Sequence, residues 1–202
     1  MTTILLIRHG QTEWNRDERF RGRSDIALNE NGLQQAEAVG KRIAANWRPA
    51  AVFASPLGRT IQTAERIAVH LGLSVTLCPG IIDIDYGEWQ GLSPEQARNR
   101  WQKEVTNWYE TPHTVRSPGG EALDHVRIRA METINDICRQ FPNQTVVLVS
   151  HTVVNRLVLL GILGLGNDRF WRLRQEPGAI NVIEAEGGNF TLVTMNDTSH
   201  LS

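Results

Sequence analysis

Arg8-His9-Gly10 ends the apolar run Ile4-Leu5-Leu6-Ile7 and precedes Gln-Thr-Glu-Trp-Asn15, so a guanidinium and an imidazole arrive together at the mouth of a strand. An imidazole beside a fixed cation is a nucleophile suited to an anionic substrate. An arginine held there is costly unless an anion or hydrogen-bonding partner balances it, and a phosphate would do so. Ser55-Pro56-Leu57-Gly58-Arg59-Thr60 follows the apolar residues 50–54 and opens a helical pattern of Leu57, Ile61, Ala64, Ala68 and Leu71. Arg59 therefore falls in a first helical turn. The helix dipole disfavours a cation there, and an anion shared by Arg59 and the free amides of that turn would reverse the penalty. Ser150-His151-Thr152 follows the strand-like residues 145–149 and delivers a second imidazole. Residues 81–91 hold Asp83, Asp85 and Glu88 among glycines and aromatics without a clean period. They read as a shaped loop that offers a carboxylic acid.

The elements that must position these groups alternate. Strands end before His9, Ser55 and His151, another covers residues 74–77, and helices lie between them. One helix is marked by Leu33, Ala36, Val39, Ile43 and Trp47, and the longest by Leu123, Val126, Ala130, Ile134, Ile137, Cys138 and Phe141. Ser93-Pro94-Glu95-Gln96 is a capping box that launches one helix bearing Trp101, Val105 and Trp108. Residues 179–185 and 190–195 read as a terminal hairpin. This order predicts an α/β three-layer sandwich, with a mainly parallel central sheet flanked by helices. Ligands of such sheets bind beyond the carboxyl ends of the strands, where His9, residues 55–59 and His151 all fall.

The chain has 202 residues, 41% hydrophobic and 21% charged, with a formal net charge of −1, which suits one domain with a sizeable core. So even a balance gives no field for nucleic acid or an acidic membrane surface. Cys78 and Cys138 form no C-x-x-C pair and are expected to be reduced, buried thiols. The first residues lack a basic region and a long apolar run, and no stretch approaches a membrane span, so a cytoplasmic location is expected.

Together, these motifs resemble the histidine phosphatase superfamily, which is phosphoglycerate mutase-like in fold. The resemblance runs nearly end to end and implies a single domain over 1–202, with a cap-like helical insertion around 92–120. Residue by residue, it makes His9 the nucleophile, Arg8 and Arg59 phosphate clamps, His151 the second imidazole and Asn15 a phosphate contact. It also brings Arg21, Gly22, Thr152 and His113 close to the substrate. The family usually carries Glu in the acid loop, whereas alignment on Tyr86-Gly87 puts Asp83 at that position; Glu88 is the runner-up acid. The Ser199-His200-Leu201 tail would fold back toward the pocket.

The implied chemistry is phosphomonoester hydrolysis through a phosphohistidine, with no metal and no cofactor. Its substrate would be a small phosphorylated metabolite, phosphoserine-like, and a homodimer is allowed for. Similar phosphoglycerate mutases are longer and read Leu-Asn-Glu-Arg-His-Tyr-Gly where this chain has residues 81–87. The phosphoserine-specific branch places His before the loop glycine, where this chain has Tyr86. The alternatives are a cofactor-dependent phosphoglycerate mutase, an α-ribazole or broad-specificity phosphatase, and a non-catalytic module that binds phosphorylated ligands.

Overall fold

Alternate residues of the central strands enter opposite cores, which is why these apolar runs build a sheet covered on both faces. The computed structural model describes residues 1–201. It runs β1 (Thr2–Arg8), α1 (Glu13–Arg16), α2 (Glu30–Asn46), β2 (Pro49–Ala54), α3 (Gly58–Leu71), β3 (Val75–Leu77), α4 (Pro94–Arg100), α5 (Gln102–Glu110) and α6 (Leu123–Gln140). It continues through β4 (Thr145–Ser150), α7 (Thr152–Ile162), β5 (Ile180–Glu186) and β6 (Asn189–Asp197). The sheet order is β3-β2-β4-β1-β5-β6; the first four strands are parallel neighbours, β5 runs antiparallel to β1, and β6 antiparallel to β5.

On β1, Leu5 and Ile7 join Val39, Ile43, Ala64 and Ile67 of α2 and α3, while Ile4 and Leu6 join Val126, Ile134, Val154 and Leu157 of α6 and α7. The result is the expected three-layer α/β sandwich. The buried apolar side chains of these two cores, each contributing about 1.5–3 kcal/mol relative to exposure, are the main force holding the layers.

Local signals account for most element ends. Asn29 caps α2 by accepting from the Gly32 amide at 2.8 Å, and Ser93 and Gln96 close a reciprocal box on α4. The helix expected to run unbroken through Trp108 is divided at Trp101, where φ −135° and ψ 58° end α4 and start α5. The break re-aims α5 so that Val105 and Trp108 reach the same core as Ala97. At α3 the first amide is not free as expected. Gly58 N–H donates to Asp25 Oδ1 at 2.7 Å, so a carboxylate from a distant loop caps this helix.

Two glycines let the chain after β1 touch α2. A Cβ on Gly32 would lie 2.1 Å from the Gln11 carbonyl oxygen, and one on Gly10 2.4 Å from that of Gly32. Both partners are backbone and cannot step aside. Gly32→Ala is therefore expected to lower stability by about 3 kcal/mol, near the upper end of ordinary overpacking costs. Chemical denaturation checks this, and an unchanged midpoint contradicts the contact.

The terminal hairpin forms as expected, and the tail turns back, but not into a pocket. His200 Nε2 lies 3.0 Å from the Gly178 carbonyl, and the Gly178 amide in turn donates to the carbonyls of Arg8 and His9. The tail thus braces the backbone behind the end of β1. Cys78 and Cys138 are free and half-buried rather than buried. Among the described residues, no helix is long and apolar enough to cross a membrane.

Candidate active site

Neighbouring strand ends bring the chemistry together. Arg8 pairs with Ser150 across β1 and β4, and Ala54 with Val149 across β2 and β4, so the next residues are His9, His151 and Ser55. Backbone bonds continue the register past the strands: His9 N–H donates to Ser150 O at 3.0 Å and Ser55 N–H to Val149 O at 3.1 Å. The two imidazole centroids are 5.3 Å apart.

His9 is buried, with Nδ1 2.7 Å from the Gly10 carbonyl. A carbonyl can only accept, so Nδ1 carries the hydrogen and Nε2 is left bare. Burial, assisted by the guanidinium groups of Arg59, Arg8 and Arg21, holds the ring's pKa well below the ordinary histidine value. The ring is neutral at physiological pH. His151 is likewise kept neutral by burial and by Arg59. Its Nε2 lies 2.7 Å from Ser55 Oγ, while its buried Nδ1 has no hydrogen-bond partner and lies 3.6 Å from Asp83 Oδ2.

Arg59 is fully buried; its terminal nitrogens donate to Ser24 O at 2.8 Å, Gly22 O at 2.7 Å and Asp83 Oδ2 at 3.0 Å. Burial pushes the Arg8 guanidinium down to about 9, so it remains a cation at neutral pH. Arg8 donates to Gln175 O, and Arg21 donates to Trp14 O at 3.1 Å and pairs with no carboxylate among the described residues. Arg16 and Arg19 turn elsewhere, to Glu13 and to Gly91 O, while Arg23 pairs with Asp85 and Glu121 and its Nε donates to the Asp83 carbonyl at 3.4 Å. Gly22 has φ +48°, and a Cβ there would meet Gln90 Oε1 at 2.6 Å and Ile84 O at 2.9 Å. No residue type but glycine could stand at position 22 and hold its carbonyl on Arg59 without strain.

The structure separates the two candidate acids. Asp83 is buried, with Oδ2 on Arg59 and Oδ1 accepting from Ile84 N–H at 3.0 Å. Burial raises its pKa, against the pull of Arg59 and Arg21. Glu88, the runner-up, is overturned: its side chain is 57% exposed and lies 3.5 Å from Arg100, outside the site. His113 is a second correction, because the turn at Pro112–Thr114 leaves it exposed and off the cleft wall. Asn15 uses its Oδ1 to accept from the amide and hydroxyl of Thr12, both at 2.9 Å, which closes the turn that follows His9. Only its Nδ2 is left for a ligand. Thr152 lines the cleft as the first residue of α7, and its Oγ1 is buried without a partner.

One contributor escaped the sequence reading. Arg129 of α6 donates to the carbonyls of Gly80 at 2.9 Å, Ile82 at 2.6 Å and Asp83 at 3.2 Å, and pairs with Glu121 at 3.1 Å. It ties down the acid loop. Its only trace in the sequence is an arginine beside the Val126 and Ala130 stripe.

A cavity of about 280 Å³ opens beside Asp83, Arg21 and Thr152, walled by Phe20, Tyr86, Trp108, Tyr109 and Trp171. Trp171 donates to Trp108 O at 2.7 Å and stacks on Tyr109 at 5.3 Å. A larger cavity, of about 510 Å³, lies near Met1, Cys138 and Glu186, at the opposite end of β1 from the imidazoles. Five buried polar atoms of the candidate site residues have no hydrogen-bond partner among the described residues: Arg8 Nε, Arg21 Nε, Arg59 Nε, His151 Nδ1 and Thr152 Oγ1. Native proteins seldom leave such groups unsatisfied, and with Arg59, Arg8 and Arg21 all acting on the His9 ring they suit a cradle for an anion.

The family model described as histidine phosphatase superfamily (branch 1) matches residues 4–198. The chain belongs to the histidine phosphatase superfamily. As a member it is a phosphatase, a hydrolase by class. Among its relatives in the superfamily, phosphoserine phosphatase 1 of Hydrogenobacter thermophilus is 33% identical over 201 residues, covering 100% of this chain and 95% of that protein. A probable phosphoglycerate mutase GpmB of Erwinia tasmaniensis is 34% identical over 212 residues, with the same coverage of 100% and 95%. Among solved structures, the phosphoserine phosphatase of Entamoeba histolytica in complex with 3-phosphoglyceric acid matches with a TM-score of 0.87 at 30% identity, covering 100% of both chains. A mutant of that enzyme is known in complex with phosphoserine.

Proposed function

We propose that this phosphatase hydrolyses a small, phosphoserine-like phosphomonoester through a phosphohistidine on His9. The observation that carries this reading is the bare Nε2 of a buried His9 ring that lies beside His151 and in the field of Arg59, Arg8 and Arg21, each of which keeps a buried, unpartnered Nε. His9 Nε2 attacks phosphorus as the P–O bond to the leaving group breaks, and Asp83 gives its proton to the departing alkoxide. Arg8, Arg59 and the His151 Nδ1–H hold the equatorial oxygens, for phosphoryl transfer is mostly positioning and charge stabilisation. Asp83 then takes a proton from water, which attacks the phosphohistidine and frees inorganic phosphate and His9. The segment 92–120 acts as a cap, since Trp108 and Tyr109 of α5 wall the cleft. Arg21, with no carboxylate partner, is suited to an anionic group on the substrate. Relatives of matching length that are phosphoserine phosphatases support the substrate class.

The test is phosphate release by EDTA-treated protein from L-phosphoserine, 3-phosphoglycerate, α-ribazole phosphate and p-nitrophenyl phosphate, with acid-quench trapping of label on His9. Release with label on His9 is expected, and fastest turnover of L-phosphoserine. The mutase reading, favoured by the GpmB relative, requires interconversion of phosphoglycerates after bisphosphate priming, with little release. Binding without label would leave only a non-catalytic module.

The pKa directions fix the pH dependence. His9 stays neutral well below the ordinary histidine range, so falling pH does not disable the nucleophile through pH 6. Asp83 must be protonated, and its raised pKa keeps the acid form to a higher pH than an exposed aspartate; rising pH removes it. Turnover, corrected for the substrate's own ionisation, is therefore expected to increase from pH 8 toward pH 6. A profile that falls on acidification through that window contradicts this assignment.

A further inference from the structure

We infer that Ser55 is a positioning residue that fixes the tautomer of His151, so that its Nδ1–H faces the transferring phosphoryl group. The catalytic consequence rests on the phosphohistidine reading above, whereas the tautomer follows from geometry alone.

Ser55 sits at a rigid corner just past β2. Its amide donates to Val149 O at 3.1 Å, and its carbonyl accepts from the Thr60 hydroxyl at 2.8 Å. Ser55 and His151 are both fully buried, and among the described residues the one hydrogen-bond partner of Ser55 Oγ is His151 Nε2, at 2.7 Å. A hydroxyl can donate or accept, so two arrangements are open.

If Ser55 O–H donates to Nε2, the hydroxyl hydrogen is satisfied and the ring hydrogen lies on Nδ1, 3.6 Å from the Asp83 Oδ2 that it attracts. If instead Nε2–H donates to Oγ, the hydroxyl hydrogen is buried with no acceptor. The Nδ1 lone pair then lies 3.6 Å from Asp83 Oδ2, an acceptor while that carboxylate is ionised on Arg59, and later meets phosphoryl oxygens that also accept. An orphaned buried donor and a facing pair of acceptors both carry a penalty, so the first arrangement wins.

The consequence is a division of labour between two neutral rings in the same tautomer. Gly10 O holds the hydrogen on His9 Nδ1 and leaves bare Nε2 toward the substrate. Ser55 does the reverse for His151, filling Nε2 and turning Nδ1–H inward. A neutral ring thereby supplies a directed donor without needing an imidazolium, which its burial among guanidinium groups disfavours.

The experiment is 15N NMR of the histidine ring nitrogens in the uniformly labelled protein and in Ser55→Ala, with steady-state kinetics on both. In the parent protein, His151 is expected to show a pyrrole-type Nδ1 and a pyridine-type Nε2. In Ser55→Ala that signature is lost or mixed, kcat falls about 100-fold, as for removal of one oriented donor, and KM changes little. A pyrrole-type Nε2 in the parent protein overturns the inference without any variant, as does a Ser55→Ala protein with unchanged kcat. Failure of the phosphohistidine reading is distinguishable, because it shows as missing label on His9 while the ring signature stands.

Discussion

His9→Ala is expected to lower kcat by about four orders of magnitude or more, and to leave no acid-labile phosphate on the protein. The size follows from the lack of a substitute. His151 cannot take over, because its Nε2 is occupied by Ser55 and its Nδ1 carries a hydrogen. The remaining donors, on Arg8, Arg59 and Thr152, can still bind a phosphate but cannot attack it. Truncation removes a single hydrogen bond, from Nδ1 to the Gly10 carbonyl, and no charge, so the fold is expected to survive. Rapid-quench labelling and phosphate release check the claim on the same sample, and circular dichroism checks the fold. Turnover within tenfold of the parent would end the covalent mechanism.

What the sequence disclosed is set by how locally each feature is encoded. Arg8, His9, Arg59 and His151 were legible because each follows or opens a strongly patterned element, and adjacent parallel strands bring such ends together. The α3 N-terminus was only half legible: the dipole argument foresaw an anion, but that anion is Asp25 and Asp83 of this chain. Asp25 comes from a loop with no period to place it.

The choice between Asp83 and Glu88 was open for a similar reason. Reach in extended chain favours the longer side chain, yet the loop path decides which carboxylate faces inward. That path is set by Arg129, 46 residues beyond Asp83, whose guanidinium gathers three loop carbonyls. Long-range bonds of that kind leave no periodic trace. His113 failed differently, since its place in the cap segment said nothing about which side of a short turn it would occupy.

Asp83→Asn is expected to split substrates by their leaving groups. The amide keeps the size of the carboxyl and an oxygen for the Ile84 amide or for Arg59, so the cradle persists. What it loses is the proton. An alkoxide such as that of serine cannot depart unprotonated, so kcat on L-phosphoserine falls about 1,000-fold, within the usual range for general acid catalysis. The p-nitrophenolate anion needs no proton to leave, and formation of the phosphohistidine from p-nitrophenyl phosphate stays within about tenfold of the parent, because only the positioning groups serve that step. The second step is different, because water now lacks its base. The variant should therefore release one equivalent of p-nitrophenol per site in a burst and then stall, with phosphate retained on His9. Stopped-flow absorbance and acid quench read both quantities. Glu88→Gln, altering an exposed group paired with Arg100, should show neither the split nor the stall. Equal losses on both substrates, or a stall in the Glu88 variant instead, would take the proton-transfer role away from Asp83.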